Sequence, residues 1–483
     1  MNALRNRLLS AVTRIGPRLL PFADVATPDL PLSRLLRLSL FQISVGMAMV
    51  LLVGTLNRVM IVELSVPASL VGLMLAMPLV FAPLRALIGF RSDHHQSALG
   101  WRRVPFIWKG SLAQFAGFTM MPFALLVLAG QGESGNLPPF VGQLAAAASF
   151  LLVGAGIHTI QTAGLALATD LTRPESHPKV VGLMYVMLLL GMMVSALIFG
   201  TALLDFSAGR LVRVIQTTAL LTITLNVIAV WKQEPRRRQP QSTPQADEPS
   251  FRESWNRFCE GPNTLRRLSV VGLGTMAFGM ADILLEPFGG HILDLSVSAT
   301  TSLTALFAVG GLIGFAVASK MIGNGIDPFV AARLGAFIGL PAFAFVIAAA
   351  PLQVTELFVL GNFLIGFGGA LFAHGTLTAT MNLAPAAQAG LALGAWGAVQ
   401  ATAAGVGVAA SGTIRDIVNA IDSASRGLAD SVSASGYMAV YGIEISLLLI
   451  TLAVIAPLVG PMRSSKTVGT DSAHLAQASR TSS

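Results

Sequence analysis

Two acids, an arginine and two histidines lie in stretches of this chain too apolar to hold them without a reason. Asp282 and Glu286 stand four residues apart in G-T-M-A-F-G-M-A-D-I-L-L-E-P-F-G-G, from Gly274 to Gly290. On a regular helix that spacing puts both carboxyls on one face. Ionisable groups at membrane depth are costly and mark ion pathways, proton relays or buried pairs. Asp282 is the deeper of the two. It is either the coupling acid of a proton-driven carrier or a structural acid bonded to a neighbouring helix. Glu286 precedes Pro287 near the end of its run, where it could simply meet the interface. Arg85 sits near the end of another apolar run and either snorkels to the surface or pairs with an acid across the bundle. His158, Gln161 and Thr162 are three and four apart and share a helix face. His374 lies in mid-run and His291 at the end of one. Nothing resembles a nucleophile elbow, a P-loop, an H-E-x-x-H site or a paired-carboxylate hydrolase, so catalysis is not expected.

The elements that must position these groups follow from composition. Of the 483 residues, 54% are hydrophobic and only 11% charged, whereas a soluble domain needs roughly a quarter charged. Runs of about twenty apolar residues suffice to span a bilayer as helices. They fall near 35–57, 67–90, 104–128, 140–167, 180–204, 211–231, 268–288, 297–320, 328–350, 355–381, 387–412 and 437–460. The fold expected is an all-α polytopic membrane protein of about twelve spans. The net charge of +8 does not point to nucleic acid, because Arg and Lys cluster between the spans rather than in a basic stripe. With the N-terminus in the cytoplasm, about 25 of these residues fall on that side and about 5 on the other. Both termini are therefore expected in the cytoplasm. The lone Cys259 permits no internal disulfide and no cysteine metal cluster.

The runs divide six and six. Residues 1–34 form a cytoplasmic segment, either an interfacial helix or a tail; 35–231 a first six-helix half; 232–267 a flexible basic linker; 268–460 a second half; 461–483 a tail. Short strings repeat between the halves. V-E-L-S-V-P-A (Val62 to Ala68) matches L-D-L-S-V-S-A (Leu293 to Ala299), and L-V-G-A-G (Leu152 to Gly156) matches L-I-G-F-G (Leu364 to Gly368). Parallel six-helix repeats are the plan of the major facilitator superfamily. The loop carrying Gly89, Asp93, Gly100, Arg102 and Arg103 resembles that superfamily's G-x-x-x-D-R-x-G-R-R signature, with about four extra residues, including His94 and His95. Its logic is a tight turn with an acid near a helix terminus and basic residues anchoring the next helix at the headgroups.

Longer strings are more specific. F-Q-I-S-V-G-M at Phe41, L-N-R-V-M-I-V-E-L at Leu56, R-S-D-H-H-Q-S-A-L-G-W-R-R-V-P at Arg91, H-T-I-Q-T-A-G-L-A-L-A-T-D-L at His158, V-V-G-L-M-Y-V-M-L-L-L-G at Val180 and the Gly274 string resemble the PucC/LhaA family. This is the bacteriochlorophyll delivery group of phototrophic bacteria, and the resemblance runs from about Leu32 to Gly460. It implies an inner-membrane factor that assists assembly of light-harvesting antenna complexes, LH1 or LH2, apparently by handling bacteriochlorophyll. The implied partners are antenna polypeptides, pigment-synthesis enzymes and membrane lipids. Bacteriochlorophyll carries a magnesium, a hard cation that an imidazole nitrogen could ligate axially. His158, flanked by Gln161 and Thr162, is then the first candidate ligand and His374 the second. Trp396 could stack on a flat ring, or simply pack among the small residues Gly394, Gly397, Gly405 and Gly407. The alternative is a proton-coupled carrier of a small solute working through Asp282.

Overall fold

The computed structural model describes residues 31–80, 88, 92, 97, 100–129, 138–173, 176–234, 263–383, 389–426 and 433–459. Arg85, Gly89, Asp93, Cys259, most of the linker and both tails lie outside them. The described residues form twelve helical elements in chain order and no strand. They are α1 (Leu32–Glu63), α2 (Ala68–Val80), α3 (Val104–Leu128), α4 (Pro139–Asp170), α5 (His177–Ala202), α6 (Ala208–Val230), α7 (Thr264–Ile292), α8 (Val297–Gly323), α9 (Pro328–Leu352), α10 (Thr355–Leu383), α11 (Ala389–Arg426) and α12 (Ser435–Ile455). Ten are long and apolar enough to cross a membrane. The remaining two are α2, whose described part is short, and α11. Phe123, Leu144 and Phe337 lie exposed on the bundle's outside, as helices facing hydrocarbon require.

Two boundaries differ from the hydropathy reading. The first span runs on to Glu63 and so takes in Arg58, while α11 continues beyond 412 to Arg426. Arg415, Asp416, Asn419 and Asp422 lower local hydropathy there, but none of them breaks a helix. A window that scores only apolarity stops too early.

The two halves pack alike. In the first, α3 lies on α4 and α6, and α1 on α5 and α6. In the second, α9 lies on α10 and α12, and α7 on α11 and α12. The halves meet where α2 contacts α11 and α5 contacts α8. The glycines of the repeated strings explain the match. A Cβ on Gly156 would sit 2.6 Å from the Gly110 carbonyl of α3, and one on Gly368 2.8 Å from the Gly335 carbonyl of α9. Two positions earlier, Gly154 abuts Pro78 of α2, and Gly366 abuts the Phe307 carbonyl of α8. Both strings are therefore paired crossing points where backbones touch.

The other repeat ends helices. Ser65 and Asp294 take the left-handed conformation, with φ of 52° and 51°. The N–H of Val66 then reaches the Met60 carbonyl at 2.8 Å, and that of Leu295 reaches Gly289 at 2.9 Å. This seven-to-one closure, one residue wider than the usual six-to-one cap, ends both α1 and α7. The second half turns two residues earlier within its string.

Candidate functional site

The acids sit where α7 breaks. Residues Met280–Ile283 form a 3-10 turn between two α-helical stretches, so Asp282 and Glu286 are not on one regular helix face. Pro287 has no N–H to offer the carbonyl four residues back. That carbonyl, on Ile283, instead accepts a 2.9 Å hydrogen bond from the fully buried Asn57 Nδ2 of α1. The α1 backbone is itself widened here into π-helical turns at Val50–Leu56 and Val59–Glu63, features that recur at functional positions.

Glu286 does not meet the interface. It is buried, and its Oε1 accepts from Thr304 Oγ1 of α8 at 2.8 Å. Gly54 of α1 leaves the room: a Cβ there would lie 3.0 Å from Thr304 Oγ1. Asp282 is half-buried, on the 3-10 turn that packs against α12, the helix that carries Glu444. Glu444 is the residue that sequence reasoning missed. It is completely buried, and neither carboxyl oxygen has a hydrogen-bond partner; the adjacent Tyr441 hydroxyl is also buried and unpartnered. The signal was available, since Glu444 is a lone acid inside the run 437–460. Phe288 wedges against Tyr437 and Tyr441 at ring separations of 5.6 and 5.7 Å. Three acids from α7 and α12 thus share one apolar neighbourhood with α1 and α8.

At the end where α1 and α7 finish, charged side chains tie the halves together. Arg58, buried, pairs with Glu63 and donates to the Leu295 carbonyl at 2.9 Å. Gly290 is needed beside it, for a Cβ would sit 3.0 Å from Arg58 Nη2. Arg415 of α11 pairs with Asp416 at 2.8 Å and lies 4.8 Å over the Tyr437 ring, while His291 Nδ1 is 2.8 Å from the Tyr437 hydroxyl. Asp416 in turn accepts the Ser69 N–H at the start of α2 at 2.7 Å, an acid at a helix N-terminus. Ser298 Oγ donates to the Gly200 carbonyl at 2.7 Å, a further link between halves at this end.

His158 and His374 are apart from this cluster in the chain and on different helices. His158, Gln161 and Thr162 are half-buried on α4. His374 on α10 packs its ring 4.2 Å from that of Phe315, and its Nδ1 is buried without a hydrogen-bond partner. Trp396 is buried on α11 and donates its indole N–H to Thr376 Oγ1 of α10 at 3.3 Å. That places it in the α10–α11 packing. Of the small residues on α11, Gly405 abuts Leu79 and Gly407 the Met276 carbonyl, whereas Gly397 faces open space.

The loop arginines turn inward rather than to headgroups. Arg103 is 5% exposed; its Nε bonds Asp170 at 3.0 Å and its Nη1 bonds Ser92 at 2.5 Å. Arg102 Nη2 joins the same Asp170 oxygen at 2.7 Å. Gly100, with φ of 78°, makes the turn before them. Glu234, just after α6, receives the backbone N–H groups of Arg102, Arg103 and Val104 at 2.8 to 3.0 Å. It caps α3 with an anion where a helix N-terminus favours one.

The profile of the PUCC protein family matches residues 55–462. The chain belongs to this family. It is 61% identical over 432 residues to Protein PucC of Rhodovulum sulfidophilum, covering 88% of this chain and 95% of that one. It is 55% identical over 456 residues to Protein PucC of Rhodobacter capsulatus, covering 93% and 97%. Among solved structures, a bacterial homolog of the human lysosomal transporter Spinster superposes with a TM-score of 0.65 at 15% identity, covering 88% of this chain and 95% of that one. A bacterial homologue of the iron transporter ferroportin gives 0.62 at 14% identity, covering 89% and 99%. This PUCC family member is therefore a multi-pass membrane protein with the major-facilitator fold.

Proposed function

We propose that this protein is an assembly factor for the light-harvesting antenna complexes of a phototrophic bacterium. Membership of the PUCC family carries the reading. On this reading it sits in the inner membrane with both termini in the cytoplasm, as the Arg and Lys asymmetry favours. It works by holding bacteriochlorophyll or the antenna polypeptides of LH1 or LH2, beside pigment-synthesis enzymes, and not by catalysis.

The pigment's magnesium would take a neutral imidazole nitrogen as axial ligand. The residues present fit that need. His374 keeps a ring nitrogen out of any hydrogen bond and lies against an aromatic ring in an apolar setting, so it stands beside His158 as a ligand to test. The experiment is the absorption spectrum of the affinity-purified protein, with antenna levels in a deletion strain. A near-infrared band that weakens in His374→Ala or His158→Ala, and loss of antenna on deletion, are expected. Pigment-free protein together with normal antenna levels would refute the reading.

A second reading, proton-coupled transport of a small solute, is favoured by the buried acids on α7 and α12. It requires solute flux in proteoliposomes that Asp282→Asn abolishes.

A further inference from the structure

We propose that the groove between α5 and α6 is a binding site for one anionic glycerophospholipid. The groove is a cavity of about 410 Å³, with Ile198, Phe199 and Leu221 in its apolar wall and Arg210 and Arg213 at its mouth. That volume lies in the range of sites that hold small ligands. Three features give it the order of polarity that a phospholipid has: anion, ester, chain.

The first is charge. Arg210 and Arg213 stand on the side that the Arg and Lys asymmetry leaves nearly bare. Of the five arginines there, Arg58, Arg210 and Arg415 pair with Glu63, Asp205 and Asp416. Arg213 pairs with no carboxylate among the described residues. It is exposed, and its one hydrogen bond is a long one, from Nε to the Gly209 carbonyl at 3.4 Å. The terminal nitrogens of its guanidinium remain available for a phosphate, which Arg binds as a fork.

The second is an orphan hydroxyl. Ser195 lines the groove, is 1% exposed, and its Oγ has no hydrogen-bond partner. Other buried hydroxyls have an acceptor: Ser111 donates to Ile107, Ser149 to Ala145 and Thr218 to Val214 on their own helices, and Ser298 to Gly200 on a neighbouring one. Ser195 lies about two helical turns in from the end of α5, below the arginines. An ester carbonyl held there accepts its proton and removes the cost of an unmade bond.

The third is the wall. Ile198 and Leu221 are about half exposed at 53% and 44%, so an acyl chain can enter sideways from the bilayer. A neutral flat pigment matches the wall but leaves Arg213 unanswered.

The test uses the full-length protein in nanodiscs and by native mass spectrometry, with phosphatidylglycerol, phosphatidylethanolamine or palmitate as probe. One retained phosphatidylglycerol is expected, bound on the order of tenfold more tightly than phosphatidylethanolamine, as a charge-assisted contact supplies. Arg213→Gln should remove that preference, and Ser195→Ala should weaken retention while leaving it in place. Equal retention of both phospholipids would mean bulk annular lipid only and would overturn the proposal. So would unchanged preference in the Arg210→Gln, Arg213→Gln double variant, or palmitate displacing the lipid at equal concentration. Both arginines are on the rim, so these variants fold.

Discussion

Asn57 of α1 holds the carbonyl of Ile283 on α7 through a buried 2.9 Å hydrogen bond, across the boundary between the two halves. The bond exists because Pro287 cannot supply the N–H that a regular helix would place there. One side chain thus repairs the break that carries Asp282.

Asn57→Leu leaves a buried carbonyl unpaired, at a cost of about 1–3 kcal/mol. The expected result is a lower melting temperature of the solubilised protein and reduced abundance in membranes. Adding Pro287→Ala restores an N–H near Ile283 and should recover part of the loss. A double-mutant cycle with strictly additive effects would show that the two residues do not act on the same carbonyl.

Glu444 carries two oxygens with no partner in a fully buried site. Such a group lowers stability by about 1–3 kcal/mol relative to a well-packed apolar replacement. Glu444→Met should therefore raise the melting temperature. If the carboxyl serves the function, the same variant accumulates normally yet fails to restore antenna complexes to a deletion strain. Full complementation would assign Glu444 no role.

The paired glycines predict symmetric damage. Gly156→Val and Gly368→Val each push a side chain into the backbone of the facing helix, where contacts of 2.6 and 2.8 Å already leave no room for a Cβ. Overpacking of this kind costs about 1–3 kcal/mol. Both variants should lower membrane abundance to a similar degree. Gly397→Val, which meets open space, should be tolerated.

The two loop arginines should differ in effect. The Arg103 side chain is 6% exposed and bonds both Asp170 and Ser92, while the Arg102 side chain is 27% exposed and bonds Asp170 alone. Truncating the buried Arg103 removes bonds to both Asp170 and Ser92 from a dry site, whereas solvent screens the more exposed Arg102–Asp170 pair. Arg103→Ala should destabilise the protein clearly more than Arg102→Ala. Arg103→Lys should rescue poorly, since an ammonium cannot span both partners. Equal melting temperatures for the two alanine variants would contradict this.

The number, order and type of the helices were legible in the amino-acid sequence, because apolar runs long enough to span a bilayer are local features. The repeat was legible too. Gly156 and Gly368 matched as letters and proved to be equivalent crossing points. Family membership could be read from long strings such as the one at Gly274. Several residues were invisible for a physical reason: whether a polar side chain is buried, paired or orphaned depends on which distant helix lies against it. Arg58 and Arg415 lie just past the ends of the apolar runs 35–57 and 387–412, and only the longer α1 and α11 show that they are enclosed. Glu286 read as interfacial until Thr304 of α8 was found against it. Arg103 read as a headgroup anchor until Asp170 and Ser92 drew it inward. The unpartnered Glu444 and Ser195, and the groove that Ser195 faces, belong to tertiary structure alone, because an unmade hydrogen bond is a property of surroundings that no single segment contains.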